Sequence, residues 1–285
     1  MDSTAGTLSA GAAQEREHRP LVKRHSILTR VTHWAGTLAF VLLVMSGLQI
    51  FNAAPYLDAS DKSDPRHRVL AIGAETAPNG RPVGSVEVFG LRATTTGVLG
   101  YTDDGQGGQS GRAFPGWITL PGYQDLANGR RWHLFFAWVM VLAGGAYLVG
   151  GAFNRDLSLL VLRPSDVPKL LPMQLYYLRL RKEPPPHGKY NPLQKAAYTL
   201  VLFVFAPLIV LSGLALSPGI DAFVPLTALF GGRQFARLWH FVFMLALLGF
   251  FAVHLTLVAS TGVINNLRSM ITGRYRLGKH EGEGT

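Results

Sequence analysis

Four long apolar runs, at residues 31–51, 132–153, 196–216 and 238–264, divide this chain of 285 residues. A helix needs about 20 apolar residues to cross a bilayer core of about 30 Å, and helix satisfies its own backbone N–H and C=O groups in hydrocarbon. Each run meets that length, and the charged residues, only 15% of the chain, are crowded between the runs. The sequence therefore reads as an all-α membrane protein, a four-transmembrane-helix bundle. Ahead of the first run, residues 1–30 begin MDSTAGTLSAGAAQEREHRP, a polar, small-residue-rich tail without the basic-then-apolar order of a cleaved signal. The first span is accordingly expected to remain in the mature protein.

The formal net charge of +10 invites a nucleic-acid reading, but its placement argues for topology instead. Arg16, Arg19, Lys23, Arg24 and Arg30 precede span one. Arg155, Arg163, Lys169, Arg179, Arg181, Lys182, Lys189 and Lys195 lie between spans two and three, and Arg268, Arg274, Arg276 and Lys279 follow span four. Alternating spans put these three segments on one side, which the positive-inside rule makes the cytoplasm. Residues 1–30, 154–195 and 265–285 are then cytoplasmic, while 52–131 and 217–237 face the periplasm of a bacterial inner membrane. Anionic lipid accounts for the basic 154–195 segment, where LYYLRLRK reads as a surface helix that PPP interrupts. No nucleic-acid partner is expected.

Cysteine is absent. Iron–sulfur ligation by thiolate, a disulfide in the 52–131 segment and covalent haem attachment through C-x-x-C-H are thereby excluded. Histidine is the remaining ligand for a redox metal. His240 and His254 lie fourteen residues apart in span four, a rotation about 40° short of four full turns, so both share one face about 21 Å apart along the axis. His33 stands near the inner end of span one and His133 near the outer end of span two. Matching depths predicts two pairs, His133 with His240 and His33 with His254. A lone histidine in a span serves as readily as a helix-to-helix hydrogen bond or an interfacial anchor. Four at matched depths are satisfied together by bis-histidine ligation of two stacked haem b groups, whereas each left unpaired costs roughly 1–3 kcal/mol. His18, His25, His67, His187 and His280 fall in tails and loops.

Gly47 follows His33 by fourteen residues and Gly144 follows His133 by eleven, so each lies near its histidine's face at the depth of the other pair. A glycine there leaves room for a flat macrocycle, although close helix packing is an equal use of it. Span three has no histidine, and its Pro207 with Ser212-Gly213 reads as a kinked wall helix. Arg131 and Arg237, close to His133 and His240, are candidates to pair with haem propionates, with plain loop charge as the alternative.

The stretches RHSILTRVTHW, GRRWH and RLWHFVFMLALLGFFAVHL resemble the bacterial dihaem cytochrome b family, of prokaryotic cytochrome b561 type. That family includes the membrane subunits of nickel-iron hydrogenases, respiratory formate dehydrogenase and thiosulfate reductase. The resemblance covers about residues 21–275. It implies a four-helix bundle with two haem b groups on His33, His133, His240 and His254, passing electrons between a partner and the quinone pool. TLPGYQDLANGRRWH and FGGRQFARLWHF are similar to a subgroup associated with molybdopterin oxidoreductases, so the implied periplasmic partner is molybdopterin-dependent or hydrogenase-like. Residues 52–131 depart from the family's usual short connection.

In that segment VEVFGL reads as a short strand, DDGQGGQSGR as a flexible turn and FPGWITLPGY as part of a small cap with Trp117 and Tyr123 at the membrane surface. GQGGQSG has the wrong glycine spacing for a dinucleotide site. The sequence supports an electron-transfer subunit. A self-contained oxidoreductase moving electrons from a small diffusible reductant to quinone is the alternative, and a haem-free protein with a histidine proton path is a third.

Overall fold

The computed structural model describes residues 21–153, 157–188 and 190–276. Arg16, Arg19, Arg155, Lys189, Lys279, His18 and His280 lie outside the described residues. Four helices have membrane-crossing length and composition: α1 (Ile27–Phe51), α2 (Leu126–Phe153), α4 (Pro192–Leu216) and α5 (Arg233–Ser260). Among the shorter ones are α3 (Leu170–Tyr177) and α6 (Val263–Thr272).

Each long helix starts four to six residues before its apolar run. At three of them a polar cap satisfies the first free N–H groups. Ser26 Oγ accepts from the Thr29 N–H at 3.1 Å, and Asp125 Oδ1 from the Asn128 N–H at 3.0 Å. Asn191 and Gln194 exchange hydrogen bonds at 2.9 and 3.1 Å as a capping box. His33 is therefore six residues inside α1, deeper than the apolar run alone puts it. In α4 a π-helical turn, Val201–Phe205, precedes Pro207, whose missing N–H and ring clash disturb the regular ladder.

The described chain divides into two compact units. In the larger, Ala35–Phe251, a Cβ on Gly129 of α2 would lie only 2.9 Å from Gln49 Cγ of α1, so glycine permits the close approach of those helices. Phe40 and Phe51 of α1 meet Phe251 and Phe241 of α5 at ring separations of 5.4 and 5.3 Å. In the smaller unit, strand β1 (Leu21–Lys23) pairs antiparallel with β8 (Arg274–Arg276). Arg30 Nη1 donates to the Ile271 carbonyl at 2.6 Å and Trp34 Nε1 to that of Met270 at 3.1 Å, fixing the start of α1 on α6.

The segment between α1 and α2 is not the loop that an all-α reading expects. It is a β-rich cap. Strands β2 (Tyr56–Asp58), β3 (Arg68–Thr76), β4 (Pro82–Val88) and β5 (Leu91–Thr94) form an antiparallel meander, and β6 (Gly100–Asp103) with β7 (Gln109–Arg112) a hairpin. The expected strand VEVFGL is broken at Phe89-Gly90, both at positive φ, where β4 turns into β5. DDGQGGQSGR is an ordered hairpin turn, with Asp104 Oδ1 accepting from the N–H groups of Gln106 at 2.7 Å and Gly108 at 3.0 Å. Those bonds hold the Asp104 carboxyl below the usual carboxylate range. The cap's core of Phe51, Leu57, Ile72 and Ala113 continues onto Leu238 and Phe241 of α5. Two buried charges bind it further. Asp58 accepts from Arg68 Nε at 3.0 Å, and Arg112 donates to the Asp104 and Gly122 carbonyls, Gln49 Oε1 and Thr119 Oγ1.

Between α2 and α4 the surface helix is LLPMQLYY, one turn earlier than LYYLRLRK suggests. It ends at Tyr177 because Arg179 takes a positive φ that the helix cannot continue through.

Candidate functional site

The four histidines come from three of the long helices: α1 carries His33, α2 carries His133, and α5 carries both His240 and His254. The structure brings together the two pairs that depth matching predicts. The rings of His133 and His240 lie 6.2 Å apart between centroids, at 65° to one another. In the smaller unit, His33 and His254 lie 6.3 Å apart at 56°, with the Trp34 indole edge-on to His33 at 5.4 Å.

A haem iron fits these separations. Two metal–imidazole bonds of about 2.0 Å, with about 1.1 Å from each bonded nitrogen to its ring centre, put two centroids about 6.2 Å apart. Each pair brings two imidazoles together, and among the described residues no group of three or more histidines, cysteines or acids gathers to hold a bare metal ion. With no cysteine in the chain, imidazole is the only strong ligand these sites offer.

The surroundings of His133 and His240 are duplicated. Ser46 of α1 and Ser212 of α4, both fully buried, approach the Nδ1 atoms of His133 and His240 at 3.1 and 3.0 Å. The next residue is glycine in each case. A Cβ on Gly47 would stand 3.3 Å from His133 Cε1, and one on Gly213 3.3 Å from His240 Cε1. On the helices that carry these two histidines, Trp132 stacks on Phe136 at 5.8 Å and Trp239 on Phe243 at 5.7 Å. The chain thus uses a Ser-Gly dipeptide twice and Trp-His-x-x-Phe twice, with matching contacts. Sequence reasoning passes over Ser46 and takes Ser212-Gly213 only as part of a kinked wall helix, although the repeated SGL of spans one and three and the repeated WH of spans two and four were the available signals.

Gly47 sits at the depth of the His133–His240 pair, as its spacing from His33 predicts. Nothing lies within 4 Å of a Cβ built on Gly144. Arg131 is exposed and donates to Asn128 Oδ1 at 3.4 Å. Arg237, three residues before His240, donates from Nη2 to the Ala54 carbonyl at 2.8 Å and the Tyr56 carbonyl at 3.3 Å. It therefore clamps cap to helix. Away from these pairs, His67 bonds Asp64 through Nδ1 at 3.0 Å, and His187 Nδ1 lies 2.9 Å from the Gly188 carbonyl.

Membrane-length helices that present facing imidazoles, with no thiolate available, define a multi-pass membrane electron-transfer protein of the cytochrome b class. Residues 24–273 match the family described as prokaryotic cytochrome b561, and the chain belongs to that family. Membership implies b-type haem. The chain is also 29% identical over 251 residues, covering 87% of itself and 96% of the relative, to the "Putative protein-methionine-sulfoxide reductase subunit YedZ1" of Azospira oryzae. No solved structure matches the chain.

Proposed function

We propose that this chain is a dihaem membrane subunit that carries electrons between a periplasmic oxidoreductase and the quinone pool. The observation that carries the reading is the pair of imidazole separations, 6.2 and 6.3 Å, each suited to one iron. Bound haem b supplies a one-electron carrier whose potential the protein sets through axial ligands, hydrogen bonding and burial. His133 with His240, and His33 with His254, are the axial ligands in this reading. The apolar helices exclude water, and Gly47 and Gly144 leave space for the macrocycles. Arg131 and Arg237 are the cationic partners proposed for propionates.

The distribution of lysine and arginine supports cytoplasmic termini and a periplasmic cap in the bacterial inner membrane. In that orientation the cap lies over the His133–His240 pair, through Leu238 and Phe241 on either side of His240. It is the surface for the soluble partner, while quinone reacts nearer the His33–His254 pair. The relative's description as a reductase subunit supports a partner oxidoreductase, of molybdopterin-dependent or hydrogenase-like kind.

The test is haem quantification on the chain purified in mild detergent, together with its co-purifying proteins. Two b haems per chain are expected, with His133→Ala or His240→Ala losing one and His33→Ala or His254→Ala losing the other. One haem or none in the wild-type chain would overturn the dihaem reading.

A further inference from the structure

The two serines facing the His133–His240 pair have no role in the function as stated. Each hydroxyl carries a single hydrogen. Ser46 Oγ lies 2.6 Å from the Leu42 carbonyl oxygen and Ser212 Oγ 3.0 Å from that of Ile209, acceptors within their own helices. With the hydrogen directed there, the hydroxyl presents only lone pairs to the imidazole opposite. The Nδ1 atoms of His133 and His240, at 3.1 and 3.0 Å, must then be the donors. An independent contact gives the same result for His133: its Nδ1 also lies 3.1 Å from the Leu43 carbonyl oxygen, which can only accept. A neutral imidazole protonated at Nδ1 has its one free lone pair at Nε2, the atom left for a metal.

We propose that Ser46 and Ser212 are positioning residues that hold His133 and His240 in the Nδ1–H tautomer, so that both rings offer Nε2 to a haem iron. The glycine after each serine completes the device. A Cβ at Gly47 or Gly213 would press on Cε1, the ring carbon between the two nitrogens, at a distance few real contacts reach. Serine thus selects the tautomer and glycine leaves the ring free to take the angle that the hydroxyl sets. A hydrogen bond from Nδ1–H to oxygen also makes Nε2 a stronger electron donor, which favours the oxidised metal and lowers its potential.

This inference rests on the ligand roles proposed above, and the two fail differently. In the purified full-length chain, Ser46→Ala, Ser212→Ala and the double variant are compared with wild type by haem content, potentiometric titration and low-spin electron paramagnetic resonance. Both haems should be retained. One of the two midpoints should move upward, further in the double variant, with a changed low-spin signal, and Ser→Thr, which keeps the hydroxyl, should restore it. Both midpoints and both signals unchanged in the double variant would overturn the proposal. If the alanine variants shed haem, Ser→Cys at both positions carries the same expectation, because a thiol is the weaker acceptor; an unmoved midpoint there overturns it equally. Failure of the ligand roles has its own signature: His133→Ala or His240→Ala retaining both haems.

Discussion

Arg237 Nη2 donates to the Ala54 carbonyl at 2.8 Å, and the guanidinium lies over the Tyr56 ring at 5.5 Å, so the helix that presents His240 is tied to the first strand of the cap. The bond spans 183 residues of sequence. Arg237→Gln removes a charged donor and leaves two carbonyls to find other partners, a loss of about 1–3 kcal/mol. Thermal unfolding in detergent should show that loss, with earlier release of the haem proposed to lie between His133 and His240. Arg237→Lys should restore it only in part, since one ammonium cannot reproduce the planar fork.

Arg112 makes a second prediction. It is 2% exposed, and its four acceptors come from the β6–β7 turn, from the Thr119–Gly122 stretch and from Gln49 in α1. Burial pulls its pKa below the ordinary arginine value, with Asp103 and Asp104 opposing that shift. Arg112→Met fills similar space while stranding those acceptors, at about 3 kcal/mol or more. Limited proteolysis should then cut within residues 56–125 while the helical circular dichroism of the spans persists.

The pH dependence follows from Asp166, whose carboxylate accepts from Lys195 Nζ at 2.9 Å and from the Arg163 N–H at 3.1 Å. The lysine, then the backbone bond, hold its pKa below the usual carboxylate range. A depressed folded-state pKa contributes stability that is fully present above the unfolded value of about 3.9 and is lost as pH falls through the folded value. The wild-type chain should lose stability over that acidic window, and Asp166→Asn should be less stable near neutrality with a flatter profile below pH 4. Thermal melts of both proteins across pH 3–7 would check the crossing.

Helical period explains what the sequence reveals and where it stops. Fourteen-residue spacing fixes both the face and the relative depth of His240 and His254, and the alternating direction of the spans then matches them in depth to His133 and His33. Whether Ser46 faces a histidine depends on how closely α1 approaches α2, which Gly129 against Gln49 decides and no single-helix pattern contains. The cap was legible in part. RVLAIGAET and PVGSVEV flank APNGR, and Asn-Gly between apolar runs is a strong hairpin signal. The β4–β5 turn was not legible, because it places Phe89 at φ +49, a conformation that bulky side chains rarely adopt.

That turn also gives the test of the cap's proposed role. Phe89 is 76% exposed and Leu91 79%, so this tip combines backbone strain with apolar surface that the described residues leave uncovered. Strain without compensating burial does not stabilise the isolated chain, so Phe89→Asn with Leu91→Ser should leave stability within about 0.5 kcal/mol or raise it slightly. Haem content should stay at the wild-type value. If the cap receives a periplasmic oxidoreductase, quinone reduction driven by that partner should fall in the double variant, while the rate with a small artificial donor stays constant. Equal rates with the partner before and after substitution would remove the tip from the docking surface. Parallel loss with both donors would point instead to a disturbed cap core around Phe51 and Ile72, which proteolysis of the same variant would reveal.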